Sequence, residues 1–214
     1  MTQLAWLPDL IRDSLVLVKN RYRRSILKNA LARLSDKRIV VGAERTRFDG
    51  WIPTEQEVFK LPIESDRLRC FKRVSLDGIL AVHIWEHLAP EESVIAARNC
   101  FTLLKSGGYL RVAVPVGFHP DADYVARTGG SGSGADDHKV LYTHDRFRDL
   151  FYSIGFDVVL LECFDERGEF HYQEWGSADG FVERSKRFDS RNAEGRLSCT
   201  SIILDPRKPV DRHD

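Results

Sequence analysis

The segment His83-Ile84-Trp85-Glu86-His87 places two imidazoles and a carboxylate within five residues. Read as H-x-x-E-H on a helix, that spacing sets His83 and His87 one turn apart around a Zn²⁺ ion, with Glu86 activating a bound water. The preceding run Asp77–Val82 (DGILAV) reads instead as a buried strand. The histidines then straddle a strand-to-helix turn and lose the helical geometry. No third ligand is evident, so no metal is expected, and zinc hydrolysis is the weakest of three readings.

A second group follows a glycine-rich stretch, TGGSGSG at Thr128–Gly134, inside the long loop Gly117–Lys139. Such a loop can close over a substrate. His138 behind it is the candidate general base, imidazole being the side chain suited to proton transfer near neutral pH, with Asp137 orienting it or standing in for it. The alternative is that Asp136 and Asp137 cap a turn and His138 packs. His119, Tyr142, His171 and Tyr172 offer rings beside polar groups such as Glu174, which suits a sugar or another polar ring. The alternative for the 171–175 stretch is aromatic packing along a hairpin edge. Arg184, Arg187 and Arg191 with Asp189 can clamp a phosphate or carboxylate, or form an ion-pair network.

These residues need elements to position them. Arg38–Gly42 (RIVVG) is a β-branched run ending in glycine, a strand that enters a loop. Trp51–Glu55 is a second strand that Pro53 places at an edge. Pro90–Leu104 has helical apolar spacing, Pro90 near its first turn and Glu91 and Glu92 at its positive end. Ser106-Gly107-Gly108 is expected to stop it before the strand Tyr109–Val114. Thr143–Ile154 is a helix capped by Thr143 and ended by Gly155. Phe156–Phe164 and Cys199–Asp205 are late strands. The alternation predicts an α/β sheet with helices on both faces and an antiparallel C-terminal strand pair. Ligands of such sheets sit beyond the carboxyl ends of the strands. There Gly42–Gly50, His83–His87 and Val116–His119 should converge. Glu55, ending the second strand, could accept hydrogen bonds from a ribose diol.

The chain has 214 residues, 43% hydrophobic and 30% charged, which suits one domain with a small appendage rather than disorder. Lys plus Arg is 32 and Asp plus Glu is 32, so a uniformly basic nucleic-acid binder is excluded. The charge is uneven. Residues 1–37 form a basic amphipathic helical segment ahead of an α/β domain over 38–214. Leu7, Leu10, Ile11, Leu15 and Val18 are expected on its packing face. Its basic side is a solvated face, or a contact with an anionic substrate, lipid headgroup or nucleic acid. Peripheral membrane contact is thus one option, while no apolar run approaches a membrane span. No signal peptide is evident. Cys70, Cys100, Cys163 and Cys199 lack metal-type spacing and read as reduced thiols, consistent with a cytoplasmic location.

The run Asp77–Pro115 resembles the central segment of class I S-adenosylmethionine-dependent methyltransferases. There a strand ends in an E-H-L turn (Glu86-His87-Leu88), and a helix exits through L-K-P-G-G, here Leu104-Lys105-Ser106-Gly107-Gly108. The wider pattern resembles an uncharacterised bacterial branch of predicted methyltransferases. It shares Gly50-Trp51-Ile52, DDHKVLY (Asp136–Tyr142), GEFHYQEW (Gly168–Trp175) and RSKRFDSRN (Arg184–Asn192). Coverage runs from about Arg38 to Lys208. The resemblance implies a Rossmann-like fold and S-adenosyl-L-methionine as cofactor. It implies cofactor contacts at Gly42, Ala43, Glu44, Glu55, His83, Trp85, Glu86 and His87. The family's G-x-G loop is degenerate: Glu44 stands at the second glycine, and Pro62 follows Leu61 where an acidic residue is usual. A methyltransferase acting on a small polar acceptor, sugar-containing or anionic, is the leading expectation. A non-catalytic methyltransferase-like binding module is the alternative that Glu44 motivates.

Overall fold

A computed structural model describes residues 9–43, 47–131, 137–192 and 196–210, with the side chains of residues 9–16, 68, 130 and 131 outside the description. Glu44 and Asp136 therefore lie outside the described residues. Among the described residues no helix is long and apolar enough to cross a membrane.

The elements in chain order are α1 (Asp9–Ala32), β1 (Arg38–Val41), β2 (Trp51–Thr54), α2 (Glu64–Cys70), β3 (Leu76–Val82), α3 (Pro90–Leu103), β4 (Leu104–Val114), α4 (Ala122–Ala126), α5 (His144–Tyr152), β5 (Asp157–Phe164), β6 (Phe170–Tyr172) and β7 (Ile202–Arg207). The strands form one seven-stranded sheet in the order β2-β1-β3-β4-β7-β5-β6. β2, β1, β3 and β4 run parallel. β7 is antiparallel to both β4 and β5, so the expected antiparallel C-terminal pair is β5 with β7. Three elements escape sequence periodicity because they are short: α2, β6 and α4, which lies within the stretch read as the loop Gly117–Lys139.

Alternate residues of each strand face opposite sides. Ile39, Val41, Ile79, Ala81, Leu110, Val112, Ile202 and Leu204 face a large core that also takes Leu27 and Leu31 of α1, Cys70 of α2, Ala97 and Cys100 of α3, and Phe147 and Phe151 of α5. The helices are thus unevenly shared: these four join one face. The connection 42–50 between β1 and β2 is too short for a helical crossover of a dozen or more residues. The second face is covered instead by the segment 173–192, whose one helical turn is Ser177–Asp179.

That segment is fixed by buried polar contacts. Arg111 of β4 donates from Nε and Nη2 to Asp205 of β7, both at 2.8 Å. Its Nη1 donates to the carbonyls of Gly176 and Gly180, also at 2.8 Å. The guanidinium lies 4.9 Å from the Trp175 ring centre. Glu162 accepts from Trp175 Nε1 at 2.9 Å and from Lys186 N at 2.8 Å. Burial raises the Glu162 carboxyl above its ordinary range, and these two donors only partly offset it. Gly180 sits at φ +124°, where a Cβ would come 3.0 Å from Leu80.

Two further expectations change. β4 begins at Leu104, directly after α3, and Ser106-Gly107-Gly108 lie within the strand rather than stopping the helix. Gly107 at φ +74° absorbs the irregularity where the β3–β4 register shifts. In α1, Val18 is 66% exposed; the described packing residues are Leu27 and Leu31, one helical turn apart. Leu7 and the side chains of Leu10, Ile11 and Leu15 lie outside the described residues. Arg24 anchors the helix through Val58 O at 3.2 Å and Asp66 at 3.1 Å.

Candidate functional site

A cleft of about 350 Å³ opens at the carboxyl ends of β1, β2 and β3. That size lies within the range of about 300–1,000 Å³ usual for small-ligand sites. β1 contributes Val41 and Gly42, the stretch after β2 contributes Gln56, Phe59, Lys60 and Leu61, and the turn after β3 contributes Ile84, His87 and Leu88. Gly42 is required twice. Its φ is +60°, and an added Cβ would lie 2.8 Å from Ile84 Cδ1. Asn99 of α3 donates to Leu61 O at 2.7 Å and holds that wall. Lys139 and Glu92 pair at 3.1 Å at the edge.

The turn after β3 carries a histidine cluster. His83 ends the strand at φ +55°, a conformation uncommon outside glycine, and its N–H donates to Ala113 O at 2.8 Å. The next residues form a 3₁₀ turn, Trp85–His87. His83 Nδ1 lies 2.8 Å from Glu86 Oε1, and its Nε2 lies 3.5 Å from Ser201 Oγ. Glu86 is 1% exposed, and its Oε2 has no hydrogen-bond partner among the described residues. The segment bearing His138 is tied down by Lys139 N and Val140 N, which donate to Glu86 O at 2.7 and 3.2 Å. The rings of His87 and His138 meet edge to face at 4.8 Å. Asp137 Oδ2 stands 3.0 Å from His87 Nδ1. The alignment is poor for a hydrogen bond, and that buried nitrogen is orphaned.

The fold therefore brings His83, Glu86, His87, Asp137 and His138 together. Other expected residues lie elsewhere. Trp85 is fully buried between Phe147 and Phe151 of α5, so its ring belongs to the core. Ala43 is buried with Trp51 and Leu80 on the second face. Glu55 lines a separate groove between α1 and β2 and pairs with Arg47 at 3.8 Å; Gln56, one residue on, lines the cleft. His119 stacks on Tyr124 at 4.0 Å. Its Nε2 lies 3.1 Å from Leu197 O and its Nδ1 accepts from Asp121 N at 3.1 Å. Burial lowers its affinity for a proton. Tyr142 is buried with its hydroxyl 3.1 Å from Ser93 Oγ. His171 bonds Asp165 at 2.8 Å in the β5–β6 hairpin. The Tyr172 hydroxyl donates to Glu174, which Arg187 approaches at 3.5 Å. Arg184 is exposed. Asp189 is held by Arg191, an ion pair rather than a clamp facing the cleft. None of the six proposed acceptor residues lines the cleft or the groove beside α1.

The cleft walls Gln56, Phe59 and Lys60 were not singled out from the sequence, and Leu61, Ile84 and Leu88 entered only as parts of motifs, with no role as walls. Only their place just after strand ends marked them. The four cysteines are free and buried, and burial raises the Cys163 thiol to about 11.

No protein-family model matches the chain, and no curated protein does. Solved structures do. An SAM-dependent methyltransferase from Methanosarcina mazei is 11% identical over 83% of this chain and 95% of its own, with a TM-score of 0.50. Two others are an SAM-dependent methyltransferase, possible histamine N-methyltransferase, from Thermotoga maritima (13% identity, 94% and 96% coverage, TM-score 0.48) and one from Archaeoglobus fulgidus (14% identity, 88% and 94% coverage, TM-score 0.48). At these identities the likeness is one of fold. The chain has the α/β, Rossmann-like sheet of the Methanosarcina protein.

Proposed function

We propose that the chain is an S-adenosylmethionine-dependent methyltransferase acting on a small polar acceptor, sugar-bearing or anionic. The observation that carries this reading is the cleft at the carboxyl ends of β1–β3, with Gly42 in left-handed backbone at its base. The residues fit such a cofactor. Leu61, Ile84 and Leu88 give apolar walls for a purine, Gln56 offers amide groups to a ribose diol, and Lys60 offers a cation to a carboxylate. The bound sulfonium would supply the methyl group, leaving the protein to align the acceptor and take its proton. His138 and Asp137 flank the cluster at His87 and are the candidate base and its partner; His83, whose Nε2 lies 3.5 Å from Ser201 Oγ, is a second candidate. Glu86 fixes its Nδ1–H, so Nε2 holds the lone pair that accepts a proton.

Isothermal calorimetry with S-adenosylmethionine and S-adenosylhomocysteine tests this. Saturable binding of both is expected. No heat with either at millimolar concentration rejects the reading. Binding without methyl transfer to any polar acceptor would favour a non-catalytic module.

A further inference from the structure

We propose that Glu86, His87 and His138 form a binding site for a borderline divalent transition-metal ion, with Zn²⁺ as its natural probe. Each of the three offers a donor atom, and the donors lie within 4.8 Å of one another. Bonds of about 2.0–2.2 Å in a tetrahedral site bring such donors to about 3.4 Å, a closure that side-chain rotation supplies. Two imidazoles and one carboxylate suit Zn²⁺, Fe²⁺ or Co²⁺ rather than Mg²⁺, which prefers an all-oxygen shell.

Three independent features single this cluster out. First, the Glu86 carboxylate is almost wholly buried, yet one of its oxygens has no partner among the described residues. A buried, half-satisfied carboxylate is costly unless a cation completes it. Second, His87 Nδ1 is buried and makes no hydrogen bond among the described residues, its charged neighbour being the exposed Asp137 carboxylate at 3.0 Å. Third, His138 Nδ1 lies 2.8 Å from Thr128 O. A carbonyl can only accept, so the ring proton is on Nδ1 and the lone pair on Nε2. That carbonyl contact is the outer-shell arrangement that orients metal-bound histidines. His83 plays the corresponding part for Glu86. The two Glu86 O contacts from Lys139 and Val140 hold the ligand segments in register. Three protein ligands leave a further position open, as reactive metal sites do. His87 also lines the cleft, which puts the ion at its rim. The inference stands on these side chains and not on the methyl-transfer reading.

The molecule has a second His-carboxylate group, Asp165, Glu169 and His171. There Asp165 is already satisfied by Arg167 N, Glu169 N and His171, so it serves as an internal control.

The test uses the full chain, stripped with chelator and titrated with Zn²⁺ alone by calorimetry, with Mg²⁺ as comparison. One Zn²⁺ per chain is expected, with Mg²⁺ at least about 100-fold weaker. His87→Ala and His138→Ala should each weaken Zn²⁺ binding by at least about tenfold, while His171→Ala leaves it unchanged. Circular dichroism establishes that each variant is folded. The Co²⁺-loaded protein should show the absorption of a low-coordinate site, lost in His138→Ala. Absent Zn²⁺ binding, or binding that His171→Ala removes and His138→Ala spares, overturns the proposal.

Discussion

Two groups of polar side chains, one on the second face of the sheet and one at its carboxyl edge, are satisfied to different degrees. On the second face Arg111, Asp205 and Glu162 are all buried, and the Arg111–Asp205 pair with the contacts to Gly176, Gly180, Trp175 and Lys186 gives each of their side-chain polar atoms a partner. At the carboxyl edge Glu86 is as tightly surrounded and His87 is half-buried, yet each keeps a buried atom that makes no hydrogen bond among the described residues. The first grouping closes a structure. The second is open to something that binds. Buried atoms without a hydrogen bond also occur elsewhere, as at Trp85 Nε1, so what marks the second grouping is that the half-satisfied Glu86 carboxylate lies beside two imidazoles.

Breaking the closed grouping should have the largest effect. Arg111→Met leaves the buried Asp205 with only the longer Arg207 contact at 3.6 Å and should cost about 3–5 kcal/mol in urea unfolding. Arg111→Met combined with Asp205→Leu should regain only part of that loss, because it removes the unpaired carboxylate but leaves the Gly176 and Gly180 carbonyls without their donor. A single variant of near wild-type stability would contradict the structural role. Next comes Gly42→Ala. Its left-handed backbone makes a side chain unfavourable by about 1–2 kcal/mol, and the new Cβ displaces Ile84. S-adenosylhomocysteine affinity should fall by at least about tenfold, read by calorimetry, with the fold retained.

The open grouping should respond differently. In metal-free protein, Glu86→Gln should change stability by less than about 1 kcal/mol, because the charge it removes is only half satisfied. A loss as large as that of Arg111→Met would make Glu86 a structural group. The smallest expected effect is at the hairpin. The His171 contact, then the Glu169 and Arg167 amides, hold the Asp165 carboxyl down at about 2, below its ordinary value near 3.8. A depressed folded-state value means the contribution is present above about pH 3.8 and is lost as pH falls through about 2. Carboxyl NMR signals should show Asp165 titrating in that window; titration near pH 4 would contradict the contact.

Much of the fold was legible from local pattern. β-branched runs marked β1 and β3, and Pro90 with Glu91 and Glu92 marked the start of α3. Strand pairing turned on nonlocal contacts, and α2, α4 and β6 were too short to show a period. The cover over the second face was invisible because 173–192 has no periodicity; its order comes from Arg111, more than sixty residues away in sequence. The site was legible in its residues more than in their roles. His83, Glu86, His87, Asp137 and His138 were all singled out, but only tertiary structure could bring Lys139 and Val140 onto Glu86 O. Trp85 and Glu55 show the limit: adjacent positions point opposite ways, so Trp85 enters the core while Ile84 lines the cleft.

Hydrogen exchange with and without S-adenosylhomocysteine tests the central contrast directly. Added ligand should slow amide exchange at 56–61 and 84–88, which wall the cleft, and leave 176–188 on the second face unchanged. Protection confined to the second face, or none anywhere at saturating ligand, would contradict a cofactor site at the ends of β1–β3.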